Sequence, residues 1–200
     1  MLSRSVGLVI VFVCYLLASP VQADILQGQG NMVGEVTQTS AILQSRLTSS
    51  KQLVEGDVAG VPGVACFEYS TDRDFKQSRQ TGWLKANSAS DFIVKAKVSG
   101  LQPATQYFYR LVFGATEATT QNGPVGSFRT LQKKTGVDEV SFVVVTGMNY
   151  AKFHGDDRID RKIHLANNNT ELPKPYAGPD KHLGYPALHS ILRLRPHFFV

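Results

Sequence analysis

From residue 24 to residue 132 the chain alternates apolar and polar residues in short runs separated by Gly, Pro, Asn, Asp and Ser. Alternation with a period of two, bounded by such residues, predicts strands and turns. In the first clear run Ala41, Leu43, Ser45 and Leu47 share one face while Gln44 and Arg46 take the other, as a strand wet on one side requires. Phe92, Val94, Ala96 and Val98 alternate with Ile93, Lys95 and Lys97 in the same way. Tyr107, Tyr109, Leu111 and Phe113 form a third inward row against Phe108, Arg110 and Val112. Further strands are expected around Met32 to Val36, Val64 to Ser70, and Gly126 to Thr130.

Between the second and third rows stands Ser99-Gly100-Leu101-Gln102-Pro103-Ala104-Thr105-Gln106-Tyr107. Gly and Pro stop one strand there, and a Tyr opens the next. The hydroxyl of such a Tyr reaches back to an upstream backbone group in the tyrosine corner of immunoglobulin-like sandwiches. Leu101 would plug the open end of the core. Turn, plug and corner in this order resemble the fibronectin type III hallmark, with an unrelated β-barrel as the alternative.

After Gln132 the character of the chain changes. Residues 133–139 are polar and form the best linker candidate. Val140-Ser141-Phe142-Val143-Val144-Val145 is a nearly continuous apolar run, the pattern of a strand buried on both faces of a parallel sheet. Ile159, Ile163 and Ala166 then recur at helical spacing behind Asp156 and Asp157, whose carboxylates suit a helix N-terminus. Residues 167–181 are rich in Asn, Pro and Gly and read as a long surface loop. Tyr185-Pro186 opens a second helix with Leu188, Ile191 and Leu192 as its apolar stripe, and Pro196 ends it. His197-Phe198-Phe199-Val200 looks like half of another buried strand. The two apolar runs are expected to lie side by side as inner strands of a parallel sheet whose other members fall outside these residues. The fold class that follows is multi-domain α+β: a β-sandwich over residues 24–132, then the incomplete start of an α/β domain over residues 140–200.

The first 23 residues change the picture of where this chain acts. Arg4, an apolar run from Val6 to Ala18, and small residues at Val21 and Ala23 fit a secretory signal cleaved before Asp24. The run is about 13 residues long, short of the ~20 that cross a bilayer. The expected location is therefore secreted or periplasmic, with no membrane contact after cleavage. Loss of Arg4 lowers the formal charge from +5 to +4, and basic and acidic residues are interleaved throughout, so nucleic acid is not an expected partner. Of the two cysteines Cys14 leaves with the signal, which excludes an internal disulfide and makes Cys66 a small buried side chain.

Candidate chemistry gathers in the last third. The loop Thr146-Gly147-Met148-Asn149-Tyr150 stands at the carboxyl end of a strand, where open α/β sheets collect ligands. Asn149 could ligate a metal or hold an anion, and Tyr150 could hydrogen-bond a substrate. All five histidines, His154, His164, His182, His189 and His197, fall in about the last fifty residues. None forms a tight ligand pair, and His154, near the strand-end loop, is the best placed of them. Asp156, Asp157 and Asp160 offer paired carboxylates, which capping and surface ion pairing also explain. Asn168-Asn169-Thr170 matches a glycosylation acceptor.

Taken together, Met32 to Ser40, the Leu101 to Tyr109 corner, Gly126 to Thr130 and the Val140 to Tyr150 strand and loop resemble the start of PhoD-like alkaline phosphatases. The resemblance implies a fibronectin-like N-terminal domain followed by a calcineurin-like metallophosphatase domain. In the family the loop commonly reads Ser-Cys-Gln-Asn-Tyr. Asn149 and Tyr150 agree with it, whereas Gly147 stands where a cysteine can ligate iron, a departure that puts an iron-thiolate site in question. The family's metal-bridging Gly-Asp would follow Phe198-Phe199-Val200. Twin-arginine export is implied for many members, yet a single Arg4 points to the general secretory route.

The resemblance implies hydrolysis of a phosphate ester by a hydroxide held between two metals, calcium, iron or zinc, in the full-length parent. Asn149, Tyr150 and His154 would supply at most one edge of that cleft. This segment alone is expected to bind no metal and to be inactive, with the phosphate ester meeting the missing domain. The competing expectation is a secreted, non-catalytic fibronectin-like binding module.

Overall fold

The computed structural model describes residues 24–52, 54, 57–133, 135, 139–148, 159–172, 174–179 and 185–200. The alternating rows form two facing sheets. One has the order β1 (Asn31–Gly34), β2 (Ser40–Arg46), β6 (Ile93–Ser99). The other centres on β3 (Gly63–Ser70) and β7 (Gln106–Thr116). Its outer strands are β4 (Arg79–Gln80) and β5 (Leu84–Ala86) beside β3, and β8 (Thr119–Asn122) and β9 (Gly126–Arg129) beside β7. All pairings within both sheets are antiparallel. β4, β5 and β8 were not signalled by alternation, because edge strands of two to four residues are too short to display a period.

Between the sheets lies one apolar core in which Ala41, Leu43, Phe67 and Leu111 are fully buried. The inward faces of β2, β6 and β7 are those the sequence pattern predicts. Phe128 reaches in from β9, stacked on Tyr107 with ring centroids 5.6 Å apart and edge-on to Tyr109 at 5.9 Å. A Cβ at Gly126 would meet the Tyr109 ring at 2.8 Å, so only glycine lets β9 lie this close to β7. The corner forms as expected: the Gln102 N–H donates to the Tyr107 hydroxyl at 2.9 Å, Gly100 takes φ +70°, and Leu101 is buried at the end of the core.

Two outward positions are not wet. Arg46 is buried because the loops over its strand end supply acceptors for the guanidinium: Asp91 C=O at 2.9 Å, the Asp91 carboxylate at 2.8 Å and Val58 C=O at 2.5 Å. On the outer face of β3, Glu68 pairs with Arg110 at 2.7 Å, and the Arg110 guanidinium lies 4.3 Å from the centre of the Phe75 ring. Phe75 adopts φ 57°, a conformation that bulky residues rarely enter. The loop holding it is tied down by Ser70, which donates to Gln77 C=O at 2.6 Å, and by Asp72, which accepts from the Asp74 N–H at 3.0 Å.

Beyond the sandwich, β10 (Phe142–Val143) and β11 (Phe198–Phe199) pair in parallel, Phe142 opposite Phe198 and Val143 opposite Phe199. The expected neighbours are neighbours. They are not buried on both faces, however: Phe142 is 57% exposed and Phe199 56%. Among the described residues no third strand joins this pair, and Val143 and Val145 are only half-buried. The first helix, α1 (Arg161–Asn168), is capped by Asp160, whose carboxylate accepts from the Lys162 and Ile163 N–H groups. Asp156 and Asp157, expected at that end, lie outside the described residues. Ile163, expected on the apolar face, is 58% exposed, and the loop expected from residue 167 starts only after Asn169. The second helix, α2 (Pro186–Leu194), has Pro186 at its start as expected and buries Ile191, whereas Leu192 is exposed.

The corner and the plug can be separated by mutation. Tyr107→Phe should lower unfolding free energy by about 1 kcal/mol through the lost hydrogen bond. Leu101→Ala should cost about 2–4 kcal/mol through the cavity it leaves. Val144→Ala, at an exposed position, should change stability by less than about 0.5 kcal/mol. Urea denaturation of the three variants checks this order.

Candidate functional site

Parallel pairing places the carboxyl ends of β10 and β11 at one edge. The register continues past the strands: the Val200 N–H donates to Val143 C=O at 3.0 Å, and the Val145 N–H donates to Val200 C=O at 2.7 Å. The chain then leaves β10 through Thr146, Gly147 at φ +70° and Met148, all solvent-facing. This is the position at which parallel sheets hold ligands, since loops rather than further sheet occupy it. Asn149, Tyr150 and His154 lie outside the described residues, so the structure assigns them no place.

At the opposite edge sits a contact that spacing along the chain could not reveal. Ser141 donates its N–H to His197 Nδ1 at 3.1 Å, and its Oγ lies 3.0 Å from the same nitrogen. Accepting from a backbone N–H requires an unprotonated Nδ1, which puts the ring proton on Nε2. Residues 56 apart meet only because the two strands run in register. The contact is exposed and orients the entry into β11.

His182 lies outside the described residues, and the candidates within them do not converge. His164 lies on α1, where Asn168 Nδ2 is bonded to its carbonyl at 2.9 Å, and His189 is exposed on α2. Asp160 is spent on its cap. Among the described residues no group of three His, Cys, Asp or Glu is arranged to hold a metal ion. Asn168 of the glycosylation acceptor is exposed in the last turn of α1.

Among the described residues the perturbed ionisations lie in the sandwich. Burial, with Glu68 and Glu117 adding repulsion, pushes the Cys66 thiol up to about 11. Burial alone pushes the Tyr109 hydroxyl up to about 12. The N–H of Asp74, and then that of Lys76, hold the exposed Asp72 carboxyl below its ordinary value. Each shift has a packing or turn origin and none sits in a cleft, so none marks a catalytic group.

Residues 20–132 match the family model described as PhoD-like phosphatase, N-terminal domain. The chain belongs to this family. The solved structure of PhoD has 21% sequence identity to it and a TM-score of 0.52, with 66% of this chain and 25% of that chain covered. That likeness establishes a shared fold, and the chain spans about a quarter of the length of the PhoD structure. A fibronectin type III domain from human KIAA0970 protein has 10% identity and a TM-score of 0.39, covering 58% of this chain and 80% of its own. The sensor domain of the anti-sigma factor RsgI4 in Pseudobacteroides cellulosolvens has 18% identity and a TM-score of 0.37, covering 58% of this chain and 99% of its own. No curated protein matches the chain. Within the matched residues, the two facing antiparallel sheets and the tyrosine corner make a β-sandwich of the fibronectin type that the sequence pattern predicts.

The buried thiol gives a pH test within this domain. The folded state holds the Cys66 proton more tightly than the unfolded chain, whose thiol ionises near ~8.5. Its contribution to stability is therefore complete below ~8.5 and is lost as pH rises toward about 11. At pH 8 a thiol reagent should label the native protein only as fast as it unfolds, and label it at once in denaturant. Rapid native labelling would contradict the burial.

Proposed function

We propose that this chain is the N-terminal part of an exported, metal-dependent phosphatase or phosphodiesterase. In this reading residues 1–23 are the signal peptide, the sandwich over residues 24–132 is a non-catalytic scaffold, and residues 140–200 open an α/β metallophosphatase-like domain. Family membership of the sandwich supports it. The observation that carries it is the parallel β10–β11 pair immediately after that sandwich, since parallel strands linked through helices are the building unit of α/β domains.

The phosphate ester would bind at the carboxyl edge of that sheet, where Thr146 to Tyr150 begin the loop. Calcium, iron or zinc would supply Lewis acidity and an activated water in the full-length parent. The described residues do not fit a two-metal centre, because no three potential ligands among them come together. No catalytic step is therefore assigned to them. Among the described residues no helix is long and apolar enough to cross a membrane. Action outside the cytoplasm, secreted or periplasmic, rests on the leader sequence.

The 200-residue chain should not hydrolyse an aryl phosphate or an aryl phosphodiester with calcium, zinc or iron present. Steady release of the aryl alcohol above the metal-only blank would overturn the division of labour proposed here. Signal cleavage before Asp24 is checked by the N-terminal sequence of the exported product.

A further inference from the structure

The two sheets do not close on each other along one side of the sandwich. β6 pairs only with β2, and β4 and β5 form the outer edge of the other sheet. Between these edges runs an open groove of about 360 Å³, within the range of small-ligand sites. Its β4–β5 wall is interrupted. The Thr81 N–H donates to Phe67 C=O at 2.9 Å, yet the Phe67 N–H is taken by the Thr81 side-chain hydroxyl at 2.9 Å instead of a backbone carbonyl. The ladder breaks between Gln80 and Leu84, and Trp83 lines the groove 36% exposed.

Three cations join it. Arg79, stacked 5.3 Å from the centre of the Tyr69 ring, lines the groove with Lys95 and Lys97 of β6. No Asp or Glu lines it, and none of the three forms an ion pair among the described residues. Elsewhere on the sandwich Arg46 and Arg110 are matched with carboxylates. The unmatched edge of β6 adds backbone N–H and C=O groups that have no sheet partner.

We propose that this groove binds an anionic saccharide, a sugar chain bearing carboxylate or sulfate groups. The indole of Trp83 offers a flat apolar face for a sugar ring, the edge backbone serves hydroxyls, and Arg79, Lys95 and Lys97 meet the negative groups. An acidic peptide adding as a strand fits less well. The β4–β5 edge is interrupted, and lysines on an edge strand oppose strand addition. This inference does not depend on the phosphatase reading.

Trp83 is the sole tryptophan of the chain, so its fluorescence reports directly on the groove. Titrating the full chain with an oligogalacturonate and with a sulfated oligosaccharide should shift that emission for at least one of them. A neutral galactan of equal length should bind at least about tenfold more weakly, and the tighter complex should weaken as salt rises. Trp83→Ala should weaken binding, read by calorimetry, about tenfold or more, with partial rescue in Trp83→Phe. Lys95→Glu/Lys97→Glu should abolish it while unfolding stays cooperative. No binding of either anionic sugar would overturn the proposal. So would equally tight binding of poly-glutamate with Trp83→Ala unaffected, which would assign the surface to acidic peptides.

Discussion

The antiparallel pairing of β3 with β7, seven residue pairs from Val64 opposite Gly114 to Ser70 opposite Phe108, is the interaction on which the rest of the molecule depends. It sets Ala65 against Phe113, Phe67 against Leu111 and Tyr69 against Tyr109, so the bulkiest part of the core is assembled by one register. A slip of one residue would turn all of these outward together. Every other strand of that sheet attaches to one of these two. Among the described residues no disulfide supports the arrangement, and Cys66 stands buried as a thiol. Stability therefore rests on packing, with the Glu68–Arg110 pair and Phe75 sealing the outer face of the same two strands.

The same register governs where binding can occur. By filling the centre of the sheet with long strands, it leaves short and interrupted edges at β4 and β5. Facing the unpartnered edge of β6, those edges leave a groove and not a closed seam. Arg79, Lys95 and Lys97 line it with no Asp or Glu among the lining residues. The sandwich is in this view more than a spacer, because its own architecture presents a charged and aromatic surface.

The parallel pair outside the sandwich obeys a different logic. Its hydrophobic residues, Phe142, Val144, Phe198 and Val200, are those of an inner strand, yet they are exposed among the described residues. The two strands nevertheless find each other, with Phe142 and Phe198 stacked at a centroid distance of 5.4 Å. Backbone pairing and ring stacking suffice to define the register. Burial of both faces requires further elements, so the pair forms as neighbours while these side chains stay exposed among the described residues.

Much of the sandwich was legible in the sequence because alternation, turn residues and the Leu101 to Tyr107 corner are local signals that each report on one strand or one turn. The family resemblance was legible for the same reason, being carried by ordered local motifs. Position in space was not. That Arg46 would be buried depended on carbonyls contributed by Val58 and Asp91, and that Ser141 would meet His197 depended on a register set far along the chain. Trp83, Arg79 and Lys95 likewise carry no common sequence signature. Short-range periodicity determines which face of a strand is apolar, whereas charge matching, edge exposure and the convergence of distant side chains are properties of packed sheets that only the tertiary structure decides.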